Sequence, residues 1–179
     1  MTDKIYTGIK LRLDTLPELK KCHWYFQQEL QVQPKNQSIL KTPAVLIEFK
    51  PYTTKSLGRR YRSAQVDFVV HFITSTLKVG DKRIQDTASS SHYPVMNTIS
   101  NTLIGYGLMA SDLPEANGLK GTDQDYQLFN SICEKSVISN HIEDKMMITQ
   151  RTFTTFAIDA SARKTLQSVN LNLHINDST

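Results

Sequence analysis

Cysteine is scarce: Cys22 and Cys133 are the only two in 179 residues, and neither has a neighbour at metal-ligand spacing. A reduced, intracellular protein is therefore expected, held by its core rather than by disulfides. Long apolar runs are missing as well. The longest, 44–47 and 68–70, fall far below the ~18 to 20 residues that span a bilayer, so no membrane segment or membrane partner is expected. The polar start lacks the apolar core of a secretory signal. Charge of one sign is in only modest excess, net +4 with pI near 9.0, too little by itself to argue for nucleic-acid binding. The five histidines, His23, His71, His92, His141 and His174, show no zinc-type pairing. There is no glycine-rich phosphate loop, no G-x-S-x-G turn and no cysteine with a catalytic signature, so neither a cofactor nor enzymatic activity is expected.

What is present centres on residues 42–76. Thr42 and Pro43 open an apolar run from Ala44 to Phe49, with proline where a strand tolerates it. A second run alternates: Ala64, Val66, Phe68, Val70 and Phe72 on one face, Gln65, Asp67 and His71 on the other. That pattern predicts a half-buried strand with a core face and a wet face. Between the two runs, residues 50–62 carry Pro51, Gly58 and the basic side chains Lys50, Lys55, Arg59, Arg60 and Arg62, which predicts a long charged hairpin loop.

The flanking segments supply the rest of one domain, 1–179, without internal repeats. Ile5, Ile9, Leu13 and Leu16 recur at helical spacing, with Thr2 or Asp3 as N-cap and Pro17 beyond the end. Gly8 weakens that helix by about 1 kcal/mol relative to alanine. Residues 22–26 predict an aromatic strand. Val95, Ile99 and Leu103 line a second helix entered at Pro94 and stopped at Gly105 or Gly107. Residues 111–125 are turn-rich, 126–133 predict a short strand, and 145–158 a longer one. In 166–175, Val169, Leu171, Leu173 and Ile175 alternate with polar residues, predicting an additional C-terminal strand. The expected fold is α+β: an antiparallel sheet of about five or six strands, two main helices on one face, and the charged hairpin loop.

Two clusters carry chemistry. Glu48, Asp67 and His71 could meet on a strand face as a carboxylate–imidazole pair, although polar residues on the wet side of an alternating strand need no catalytic role. Lys55, Arg59, Arg60 and Arg62, interleaved with Tyr52 and Tyr61, are the mixture that grips a nucleic-acid backbone and stacks on bases. A solvated hairpin tip is the commoner role for a single loop of this size, and contact with an acidic protein surface comes next, ahead of nucleic acid. Trp24, Tyr25 and Phe26 fit a core or a subunit interface.

The order and spacing of these features, from the helix before Leu16-Pro17-Glu18-Leu19 through His23-Trp24-Tyr25-Phe26, 42–49 and 65–72 to Gln150-Arg151-Thr152-Phe153-Thr154-Thr155, resemble the tail terminator (tail completion) proteins of long-tailed bacteriophages. The likeness covers most of residues 3–158. It implies a non-enzymatic virion protein, assembled in the host cytoplasm, that forms a homo-hexameric ring capping the tail tube and joining it to the head or neck. Its implied partners are other copies of itself, the tail tube protein, a head-completion or neck protein, and DNA passing through the channel. A ring needs one patch to meet a different patch on the neighbour. The 50–62 arm and the C-terminal strand are reaching elements of that kind, with Lys55, Arg59, Arg60, Tyr61 and Arg62 as contact residues and Glu48 and Asp67 as polar-face candidates. A small nucleic-acid-binding module using the basic loop is the alternative.

Overall fold

The computed structural model describes residues 1–25, 42–58, 61–75, 91–114, 120, 125–143 and 146–160. The expected strand over 166–175 lies outside these residues, as do Phe26, Arg59 and Arg60. Within them the fold is α+β. Helix α1 (Thr2–Leu13) and helix α2 (Tyr93–Leu103) accompany strands β1 (Lys21–Trp24), β2 (Ala44–Phe49), β3 (Lys55–Ser56), β4 (Arg62–Ser75), β5 (Leu108–Met109), β6 (Gln127–Phe129), β7 (Cys133–Glu143) and β8 (Met146–Asp159).

The sheet is built on one long pair. β4 and β8 run antiparallel in unbroken register from Arg62 opposite Asp159 to Ser75 opposite Met146. Both sequences are dense in β-branched and aromatic residues, the types that fit a pleated surface. The far edge of β4 takes β2 and then β3, while the far edge of β8 takes β7 and then β6, with β5 beyond β6. β1 departs from the all-antiparallel expectation, because Lys21–Trp24 pairs in parallel with Ala44–Ile47. Parallel neighbours need a connection of a dozen or more residues, and the chain between β1 and β2 has that length. The sheet is therefore mixed.

One apolar cluster joins Ile5, Ile9 and Leu13 of α1 and Met96, Ile99 and Leu103 of α2 to the β4 positions Val66, Phe68, Val70 and Phe72. Gly8 sits where α1 crosses β5 and β6. A β-carbon there would come 2.6 Å from Leu108 and 2.9 Å from the Phe129 ring, so the missing side chain permits close approach. The helix begins at Thr2 with Met1 as N-cap and no side-chain capping bond, in place of the Thr2 or Asp3 cap expected. Gly105, with φ +80°, follows the end of α2 and turns the chain toward β5.

The opposite face of β4 is not uniformly wet. Val69, His71 and Ile73 are buried, and Ile73 packs with Ala44, Leu46, Met146 and Ile148 in a second cluster that Tyr25 borders. From Phe68 to Ile73 the strand is apolar on both faces apart from His71, as expected of a strand covered on both sides. The segment 126–133 also differs from expectation: β6 stops at Phe129, and a new strand, β7, starts at Cys133.

Candidate functional site

The polar side chains singled out by sequence gather on the sheet face away from the helices. Glu48 lies opposite Val69 in the β2–β4 ladder, and His71 lies opposite Leu46, so alternation puts both on this face. They meet: His71 Nε2 is 3.0 Å from Glu48 Oε2. Only 3% of His71 is exposed, and its ring stacks on Tyr25 at 4.1 Å between centroids, nearly parallel at 9°. Lys50 Nζ donates to the other Glu48 oxygen at 2.7 Å. Burial alone would raise the Glu48 carboxyl, but hydrogen bonds from Lys50 and His71 together with their charges outweigh it and hold the group below the usual carboxylate range.

Asp67 is one diagonal step away, with Lys135 Nζ donating to its Oδ2 at 2.6 Å from across β8. That bond, reinforced by Thr154 and Gln65, depresses the Asp67 carboxyl against a smaller opposing effect of burial. Both carboxylates are thus anionic and engaged, and neither has the raised pKa of a general acid poised near neutrality. Among the described residues, no group of three or more His, Cys, Asp or Glu side chains could hold a metal ion. No described helix is long and apolar enough to cross a membrane.

The hairpin presents a different surface. β3 folds back on the start of β4, Lys55 opposite Ser63 and Ser56 opposite Arg62, closed by Leu57 N–H donating to Tyr61 O at 2.8 Å. Gly58 has φ +79°, a turn conformation that suits glycine, and the Ser56 hydroxyl donates to its carbonyl at 2.7 Å. Lys55 and Arg62 are exposed. The two tyrosines are engaged within the fold. The Tyr52 hydroxyl is 2.6 Å from Thr2 Oγ1, and its ring packs against the core. Tyr61 is half-buried against Tyr126, 6.1 Å between rings. Trp24 sits between Tyr6 and Phe49, at 4.7 and 5.2 Å, joining α1 to the sheet as part of the partly buried aromatic packing.

Sequence reasoning missed two polar centres on the helix side. His92, fully buried ahead of α2, has Nδ1 2.7 Å from Thr74 Oγ1 and Nε2 2.7 Å from Thr149 Oγ1. Arg151 donates from Nη1 to Ser100 Oγ at 2.9 Å and to Glu134 at 3.2 Å, and from Nη2 to Asn97 Oδ1 at 3.0 Å. An arginine inside a strand read as apolar and threonine-rich was the available signal. These centres clamp α2 to β4, β7 and β8; they are structural fastenings. Compared with models of known protein families and with curated proteins, the chain matches none.

Proposed function

We propose that this chain is a structural subunit of a bacteriophage virion, without enzymatic activity, that assembles into a ring at the end of the tail tube and joins the tube to the head or neck. In this reading both helices cover one face of a largely antiparallel sheet, and the basic hairpin, with β3 folded back on the start of β4, meets the neighbour at one end. The observation that carries the proposal is the surface at that end. Leu57 at the arm's tip is 49% exposed between the basic Lys55 and Arg62, and Phe156, further along the sheet opposite Gln65, is 42% exposed. An apolar tip framed by cations suits a pocket with an acidic rim on a second subunit, the heterologous contact that closes a ring. Glu48 and Asp67, each engaged by a lysine, give the neighbouring polar face paired charges that suit a contact surface. The resemblance to tail terminators supplies the hexameric number, the tail tube and neck partners, and the DNA in the channel.

The nucleic-acid module is less well supported. Its stacking residues would be Tyr52 and Tyr61, and both are occupied by contacts within the fold.

Negative-stain electron microscopy of the concentrated protein, with mass measured in parallel, tests the proposal. Closed rings with an open centre are expected, alone or on isolated tail tubes. Leu57→Asp combined with Lys55→Glu should leave thermal unfolding unchanged and abolish the rings. Monomers under every condition, tail tubes included, would overturn the ring.

A further inference from the structure

The outgoing side of the basic hairpin carries one residue more than the strand it pairs with. Register against β4 is unbroken from Ala44 opposite Ile73 to Phe49 opposite Phe68, and Lys50 N–H still donates to Asp67 O at 2.9 Å. It resumes at Lys55 opposite Ser63. Five steps from Lys50 to Lys55 therefore face four from Asp67 to Ser63, so β2 and β3 form one strand interrupted by a one-residue bulge. Pro51 opens the interruption, because it has no N–H to give the ladder.

A bulge bends its strand and re-aims a side chain. Here that side chain is Tyr52. Lys50, Pro51, Thr53 and Thr54 are exposed, whereas Tyr52 between them is half-buried, its ring against the main core cluster. Its hydroxyl lies 2.6 Å from Oγ1 of Thr2, the first residue of α1. The returning side is tied as well, by the Tyr61 ring against Tyr126 just ahead of β6.

We infer that Tyr52 and Thr2 are positioning residues for the hairpin: their hydroxyl pair pins the bend at the bulge to the start of α1 and so holds Lys55, Leu57 and Arg62 in one presentation. The inference deepens the hairpin contact proposed above and rests on that reading for what the hairpin meets. The pin is already made in the single subunit, so a neighbour does not have to order the arm as it binds. With either hydroxyl removed the Tyr52 ring still packs, but the angle of the bend is no longer fixed. The loss then falls on assembly more than on the fold.

Tyr52→Phe removes one hydroxyl and keeps the ring, Thr2→Val removes the other at nearly the same shape, and Thr2→Ser retains a hydroxyl. Amide hydrogen exchange of the full-length protein below assembly concentration reads the hairpin directly at Lys50 and Leu57, whose N–H groups are bonded to Asp67 and Tyr61. Exchange there is expected to quicken about fivefold in Tyr52→Phe and in Thr2→Val, the worth of one neutral hydrogen bond, while β8 stays unchanged. The double variant should add nothing further, since both changes break one bond, and Thr2→Ser should behave as wild type. The concentration for half-maximal ring formation should rise by a similar factor in the same two variants, at an unchanged melting temperature.

Unchanged exchange at Lys50 and Leu57 in Tyr52→Phe would overturn the inference. So would an assembly midpoint that stays put, or one that moves only together with the melting temperature, which would make the pair structural. The two proposals separate in the wild type. If it stays monomeric even with tail tubes, the ring falls, and the exchange data alone decide whether Tyr52 and Thr2 hold the hairpin.

Discussion

At the scale of single residues, His92 carries the clearest pH dependence. Burial pushes its imidazole down from 6.5 to about 4, and its two threonine partners satisfy both ring nitrogens without a compensating negative charge. Between these values the unfolded chain takes up a proton that the folded one refuses. Stability is therefore full above pH 6.5 and falls as the pH drops toward 4, by up to roughly 3 kcal/mol. Urea unfolding at pH 7 and pH 4.5 checks this, and His92→Gln should flatten the difference at some expense in stability at pH 7. Nothing local in the sequence marks His92, since its partners lie 18 and 57 positions away in the chain. Alternation put His71 and Asp67 on one face, whereas the meeting of His71 with Glu48 depends on the β2–β4 register, which alternation within one strand does not set. The burial of His71 was half legible: Val69 and Ile73 beside it already broke the polar pattern.

At the scale of elements, α2 is held by side chains as much as by its apolar stripe. Arg151→Met keeps the bulk of the side chain but strands Glu134, Asn97 and Ser100, and a loss of roughly 1–3 kcal/mol is expected in chemical denaturation. Arg151→Lys should recover little of it, because one ammonium cannot serve partners spread across a guanidinium fork. The elements that could be read from sequence are those with dense periodicity: α1 from Ile5, Ile9 and Leu13, α2 from Ile99 and Leu103, and the two long strands from their alternation. β7 could not be read. Its apolar residues are sparse, and two register shifts break its period. Gly8 was misjudged in isolation, because its value appears only when Leu108 and Phe129 are packed against the helix.

At the scale of the molecule, the α+β class follows from strand and helix patterns that are local, whereas the parallel β1–β2 pair depends on how distant segments meet. Assembly is a property of the same scale. In the ring proposed above, the basic hairpin would meet a different patch on the neighbour, the heterologous contact that closure requires. Substitutions at Lys55, Leu57 and Arg62 should therefore alter the oligomeric state while leaving monomer stability within about 0.5 kcal/mol, as expected of exposed positions.

The long β4–β8 ladder also sets the order in which the chain acquires its shape. Its partners are roughly 70 to nearly 100 residues apart in sequence, so the ladder closes only after a large entropy loss, whereas β7 and β8 meet across a two-residue connection. The β7–β8 hairpin is expected to organise first and to serve as the template on which β4 docks, with overall folding in milliseconds to seconds. Pulse-labelled hydrogen exchange would show this as amides of β7 and β8 protected ahead of those in β2 and β4. Because translation delivers β8 after every other described strand, the nascent chain holds β4 without its main partner until residue 159 has been made.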